Sequence, residues 1–135
     1  MGFELSRRCE ERLVGVKPQL VQVVRAAALH YTGPGKFIVV EGLRSLARQR
    51  ELFAAGKSKT MRSRHLNGHA VDLAPMVDVD GDGDLDLTWV RENFYPICDA
   101  MRASAAAAGI PIEWGGDWRD FVDMPHWQLP WSRYP

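Results

Sequence analysis

Two short stretches of this chain concentrate the residue types that hold metals and move protons. They are Ser63-Arg64-His65-Leu66-Asn67-Gly68-His69-Ala70-Val71-Asp72 and Asp123-Met124-Pro125-His126. Zinc in hydrolases is commonly held by three nitrogen or oxygen ligands, with the fourth position left to water. Two histidines and one carboxylate from these stretches would complete such a set, and a second carboxylate could take a proton from the attacking water. His65 and His69 stand at i, i+4, the spacing of a helical pair, but Gly68 and the strand-like alternation after it argue against a helix there. Periodicity does not choose between the two histidines. Nothing points to a nucleophilic side chain: there is no Gly-x-Ser-x-Gly elbow, and neither cysteine has a histidine close in sequence.

The elements that must position these residues follow from patterning. Alternation over Ala70-Val71-Asp72-Leu73-Ala74 predicts a strand with Ala70, Asp72 and Ala74 on one face. Residues 110–114 and 125–129 read as two further strands, with Gly115-Gly116 turning the chain as it leaves the first. The β-branched run Phe37-Ile38-Val39-Val40 predicts a buried strand. Upstream, Ser6 caps a short helix reaching about Leu13, and Pro18 opens one that runs to about His30. A helix from Ser45 to Ala55 is closed by Gly56, residues 57–67 are polar and irregular, and a long helix from Trp89 to Ala108 ends at Gly109. Early helices, one later helix and short strands make an α+β domain with a small, mostly antiparallel sheet. No linker, repeat or low-complexity tract divides it, so residues 1–135 are expected to be a single domain.

Composition excludes some partners. Lysine plus arginine (17) equal aspartate plus glutamate (17), so no net field draws the chain to nucleic acid or an anionic membrane. No apolar run is long enough for a signal peptide or a membrane span. The protein is therefore expected to be made in the cytoplasm, to act elsewhere only after a separate release step, and to be a monomer. Cys9 and Cys98 lie far apart in no metal-type spacing and are read as free thiols.

The pattern Ser63-x-His65-x-x-Gly68-x-Ala70-x-Asp72, followed far downstream by Asp123-x-x-His126, resembles the paired signature of the D-Ala-D-Ala carboxypeptidase and dipeptidase family of zinc peptidases. That family includes the L-alanyl-D-glutamate endopeptidases that bacteriophages use as endolysins. Glu41-Gly42-Leu43-Arg44-Ser45 with Gln49 is similar to its arginine-bearing strand-to-helix segment. Glu113-Trp114-Gly115-Gly116-Asp117-Trp118, leading to Asp123-Met124-Pro125-His126-Trp127-Gln128-Leu129, looks like the endolysin branch. The resemblance implies a Hedgehog/DD-peptidase-like fold and zinc held by His65, Asp72 and His126. It implies Asp123 as general base, Arg44 as the stabiliser of the oxyanion, and Ser63 as a residue that binds substrate or orients the first motif. The substrate implied is bacterial peptidoglycan, cut at the L-Ala–D-Glu bond during host lysis, in the periplasm if the host is Gram-negative. Many family members carry glutamate where this chain has Asp123, so the shorter side chain must be brought closer by the backbone, a task for which Pro125 is suited.

Other features carry weaker expectations. Asp78, Asp80, Asp82 and Asp84 alternate like the start of a calcium loop and are candidate calcium ligands, although Trp89 stands where a bidentate glutamate is expected. A solvated turn is the plainer reading of the same residues. Four tryptophans cluster near the second motif, and Trp114 and Trp127 are expected to line the substrate groove. Arg62, Arg64, Arg119 and Arg133 could form a positive patch for the carboxylates of a wall peptide. Three rival functions remain: a D,D-carboxypeptidase or D-Ala-D-Ala dipeptidase, a non-catalytic wall-binding module with a structural zinc, and a calcium-dependent interaction protein.

Overall fold

The computed structural model describes residues 2–58 and 60–135; Met1 and Lys59, the latter within the segment expected to be irregular, lie outside the described residues. Ser6 caps α1 (Arg7–Arg12), its hydroxyl accepting from the Cys9 amide at 3.2 Å. Pro18 opens α2 (Pro18–Leu29), which buries Leu20, Val23, Val24 and Ala27. After the Gly33-Pro34-Gly35 loop comes β1 (Lys36–Glu41). Ser45 then caps α3 (Leu46–Ala54) by accepting from the Arg48 amide at 3.1 Å. The remaining elements are β2 (Ala70–Val77), β3 (Asp86–Leu87), α4 (Tyr95–Ala108), β4 (Glu113–Trp114) and β5 (His126–Gln128).

Three expectations change. The long helix begins at Tyr95 rather than Trp89: residues Arg91–Phe94 form a separate 3₁₀ turn, and Trp89 is exposed before it. Pro96, in the first turn of α4, lacks an amide proton and suits only a helix start. The strand expected over residues 110–114 is confined to Glu113–Trp114. The strand expected to be buried has two characters, with Phe37 and Val39 fully buried while Ile38 and Val40 are only half-covered.

The sheet runs β1-β2-β5-β4, with β3 on the edge of β2 that β5 also uses, and every described pairing is antiparallel. One face carries Phe37, Val39, Val71, Leu73 and Trp127 into a core shared with Leu20, Val23, Val24, Ile97 and Met101 of α2 and α4, which pack on each other. Each fully buried Val, Leu or Phe stabilises by about 1.5–3 kcal/mol. Cys9 and Cys98 are buried and unpaired. Among the described residues, no helix is long and apolar enough to cross a membrane.

The opposite face is where the chemistry gathers. Asp72 alternates with the core residues Val71 and Leu73, so its side chain leaves the helices behind. Its partner across β5 is His126, while Val71 pairs with Trp127 on the core face. On β1 the register jumps between Val39 and Glu41, so that Val39 pairs with Leu73 but Glu41 pairs with Asp72. This β-bulge at Val40 turns Glu41 onto the face of Asp72; without it Glu41 would share the face of Phe37 and Val39.

Candidate metal centre and active-site cleft

His65 is set by a tight local frame. Ser63 caps the 3₁₀ turn Arg64–Asn67, its hydroxyl accepting from the His65 amide at 3.2 Å. Gly68 closes the turn at φ +77, and a Cβ there would lie 2.2 Å from the Gly15 carbonyl oxygen, so only glycine fits. The His65 ring then donates from Nδ1 to the Gly42 carbonyl at 2.8 Å, since a carbonyl can only accept. That leaves the bare Nε2 facing Asp72 Oδ1 at 3.2 Å. His69, the rival histidine, is buried elsewhere with Nδ1 against Asn67.

The second motif is braced from behind. The Asp123 amide donates to the Gly115 carbonyl at 2.9 Å, and the His126 amide to the Asp123 carbonyl at 3.1 Å, closing a turn. Leu73 N–H holds the Pro125 carbonyl at 2.9 Å, and the Trp114 indole holds the Met124 carbonyl at 2.7 Å. A Cβ on Gly115 would lie 2.4 Å from the Asp123 carbonyl oxygen and 3.0 Å from the Cβ atoms of Asp123 and His126. The bare glycine is what lets the short aspartate come in close. His126 Nδ1 consequently stands 3.5 Å from Asp72 Oδ1 and 3.9 Å from Asp123 Oδ2. Its Nε2 faces Gln128 Oε1 at 2.7 Å.

His65, Asp72 and His126 thus offer ligand atoms that all lie within 4.8 Å of one another. A tetrahedral ion bound at about 2.0–2.2 Å separates its ligand atoms by about 3.3–3.6 Å. The gaps from the two histidine nitrogens to Asp72, 3.2 Å and 3.5 Å, lie just below and within that range, so the donor set fits zinc in kind and in spacing. Burial alone would raise the Asp72 pKa, but the rings of His126 and His65 that face it hold it far below the carboxylate range. Burial would lower His126, yet Asp72 raises it. Asp123 is pushed up, first by burial and then by the charge of Asp72, which gives it the proton affinity a base needs.

Arg44 comes from the β1–α3 connection and is tied to the first motif by its amide, which donates to the His65 carbonyl at 2.9 Å. Its guanidinium donates from Nε to Glu41 Oε1 at 3.0 Å, from a second nitrogen to the same oxygen, and from the third to Gln49 Oε1 at 2.7 Å and Ser63 Oγ at 3.5 Å. It lies 3.9 Å from Asp72 Oδ2. Gln49 is fully buried and reaches onward to Ser58 Oγ and the Thr60 carbonyl, anchoring α3 to the loop before the first motif. Glu41 is a site residue for which sequence reasoning found no role. Its proximity to Arg44 in sequence was visible, but the bulge that aims it was not.

These residues floor a cleft of about 930 Å³. Trp118, Phe121 and Trp131 give it aromatic walls, and Arg48, Lys57 and Arg62 give it positive charge. Trp118 stands with its ring 5.0 Å from that of His126. The expectation that Trp114 and Trp127 line this groove is corrected: both are buried, stacked on each other at 5.6 Å and 13°, and neither borders the cleft. The reason is the strand alternation, which sends Trp127 to the core whenever His126 faces the site. Ser63 does line the cleft, although its hydroxyl is engaged with His65 and Arg44. Arg64 is buried, donates to the Leu129 carbonyl at 2.8 Å and lies 4.0 Å over the Trp131 ring. Arg119 and Arg133 do not border the cleft.

The acidic loop is separate from this centre. Asp78, Asp80 and Asp82 offer oxygens within 4.8 Å of one another, and Asp84 is not part of that group. Asp78 accepts from the amides of Gly83, Gly81 and Asp82, which holds its carboxyl below the usual range. All three carboxylates are exposed.

The chain matches, over residues 1–127, the family model described as phage L-alanyl-D-glutamate peptidase. It is 31% identical over 121 residues to the L-alanyl-D-glutamate peptidase of Escherichia phage T5, covering 87% of this chain and 83% of that protein. It is 31% identical over 104 residues to the peptidoglycan L-alanyl-D-glutamate endopeptidase CwlK of Bacillus subtilis (strain 168), covering 68% of this chain and 59% of that one. Among solved structures it superposes on the L-Ala D-Glu endopeptidase ChiX of Serratia marcescens with a TM-score of 0.87 and 43% identity, covering 99% of this chain and 95% of the other.

Proposed function

The chain belongs to the phage L-alanyl-D-glutamate peptidase family, and from that premise we propose that it hydrolyses the L-Ala–D-Glu bond of peptidoglycan stem peptides with one zinc ion held by His65, Asp72 and His126. The observation that carries the zinc assignment is the tetrahedral-edge spacing of the two histidine nitrogens from Asp72. Zinc, when bound, polarises a carbonyl and brings the pKa of water toward neutrality. Asp123, half-buried beside His126, takes the proton from the attacking water and delivers it to the leaving amine of D-Glu. Arg44 turns a fixed guanidinium toward the negative charge that develops on the carbonyl oxygen, and Glu41, Gln49 and Ser63 hold it in place. Ser63 orients the first motif and its arginine. The aromatic walls Trp118 and Trp131 pack the peptide, and the positive side chains along the cleft meet its carboxylates. Hydrolysis is direct, with no acyl-enzyme.

The described chain acts as one catalytic domain and as a monomer. In a phage its work is that of an endolysin, reaching the wall after release from the host cytoplasm. The test is mass analysis of purified muropeptides treated with zinc-loaded protein, zinc-stripped protein and Asp123→Asn. Cleavage after L-Ala is expected from the loaded protein alone, with Asp123→Asn slower by about 10²–10⁴-fold while keeping its fold and its zinc. Loss of a terminal D-Ala would favour the D,D-carboxypeptidase, and wall binding without any released peptide would replace the enzyme with a binding module.

A further inference from the structure

His65 and His126 turn opposite nitrogens to Asp72, Nε2 from the first and Nδ1 from the second. Each arrangement requires the other ring nitrogen to carry the proton. For His65 a backbone carbonyl enforces this. For His126 the partner is a side chain, the buried Gln128 two residues on along the same face of β5. A glutamine can present either its oxygen or its amide, so by itself it specifies nothing. Its orientation is fixed from the neighbouring strand: Gln128 pairs with Glu113 across β4 and β5, and its Nε2 donates to Glu113 Oε1 at 3.0 Å. A carboxylate only accepts, so the amide must face Glu113 and the oxygen must face His126. The ring then donates from Nε2, and Nδ1 is left bare toward Asp72.

We infer that Glu113 and Gln128 are positioning residues, a one-way hydrogen-bond relay that fixes His126 as an Nδ1 ligand. This rests on the metal reading of the site but concerns residues outside the proposed ligand set. Partners that orient ligating histidines typically govern metal affinity by about 10–100-fold.

The experiment is the zinc dissociation constant, measured by competition with a chromogenic chelator, together with the His126 Nε2–H resonance of the zinc-loaded protein. Gln128→Leu removes the acceptor and is expected to weaken zinc by about 10–100-fold and expose the Nε2 proton to rapid exchange. Glu113→Gln changes only the exposed end, lets the amide flip, and is expected to weaken zinc by about 3–10-fold. The exchanged pair Glu113→Gln/Gln128→Glu restores an acceptor behind His126 and is expected to bind within about threefold of wild type, its Nε2 proton protected again. Should Gln128→Leu not fold, the other two variants carry the test. Zinc binding and an Nε2–H signal unchanged in both single variants would overturn the relay, as would an exchanged pair no better than Glu113→Gln. Wild type that binds no zinc would instead overturn the metal reading itself.

Discussion

The close approach at Gly115 gives a sharp test of how the second motif is held. Its backbone is outside the left-handed region, so alanine meets no torsional objection there and the effect is purely steric. The added carbon would lie 2.4 Å from the Asp123 carbonyl oxygen and 3.0 Å from the Cβ atoms of both Asp123 and His126. Non-bonded heavy atoms settle at about 3.5–4.0 Å, so the segment must retreat by roughly 1 Å. Displacing a catalytic group by about 1 Å can cost about 10²-fold in rate, equivalent to about 2.7 kcal/mol in the barrier. Overpacking adds about 1–3 kcal/mol of destabilisation. The assay is kcat/KM on a defined muropeptide with zinc-loaded Gly115→Ala, alongside its melting temperature. Gly109→Ala is the control: its φ of +70 strains alanine and lowers stability, but nothing lies within 4 Å of the new carbon. Activity of Gly115→Ala within about threefold of wild type would refute the reasoning. So would an equal loss in Gly109→Ala, because activity would then be following stability alone.

Arg44→Lys keeps the charge but cannot reproduce the fork that engages Glu41, Gln49 and Ser63. It is expected to lower kcat by about 10²–10³-fold with a smaller change in KM, and steady-state kinetics within about fivefold of wild type would remove Arg44 from the oxyanion role. At the acidic loop, a calcium site would show in calorimetry of zinc-loaded protein as binding at a dissociation constant of about 10⁻⁴–10⁻³ M that is lost in Asp80→Ala/Asp82→Ala. Equal heats in the two proteins, or equal activity with and without a calcium-selective chelator at constant zinc, would reduce the loop to a solvated turn.

The parts of the fold with a strong local cause were legible in the sequence. Ser6, Ser45 and Pro18 mark helix starts because capping and a missing amide proton act within one turn. The alternation around Asp72 exposed the face that carries the site, since pleating has a period of two residues. The same rule, applied one residue past His126, would have sent Trp127 to the core, so that misreading had its correction in plain view. Pro96 likewise marked the true start of α4. The two-residue strand β3, the bulge at Val40 and the role of Glu41 were not legible, because each depends on what a distant strand offers and not on the residues themselves. The three ligand positions needed the family resemblance. Residue types alone left His65 and His69 open, and only the fold brings His65, Asp72 and His126 to one point.

The bulge at Val40 also bears on how this chain can tolerate insertions and deletions. Phe37, Val39 and Glu41 share one parity along the strand, yet the first two serve the core and the third serves Arg44. A deletion of Val40 alone would restore a regular ladder and leave Glu41 opposite Asp72, so a strand one residue shorter keeps the acceptor for Arg44 in place. Sequence drift at Phe37 or Val39 that preserves volume leaves that geometry intact. Absorbing Val40 into the ladder at unchanged length would instead set Val40 opposite Asp72 and turn Glu41 to the core face, so the stretch tolerates the loss of its extra residue but not its regularisation.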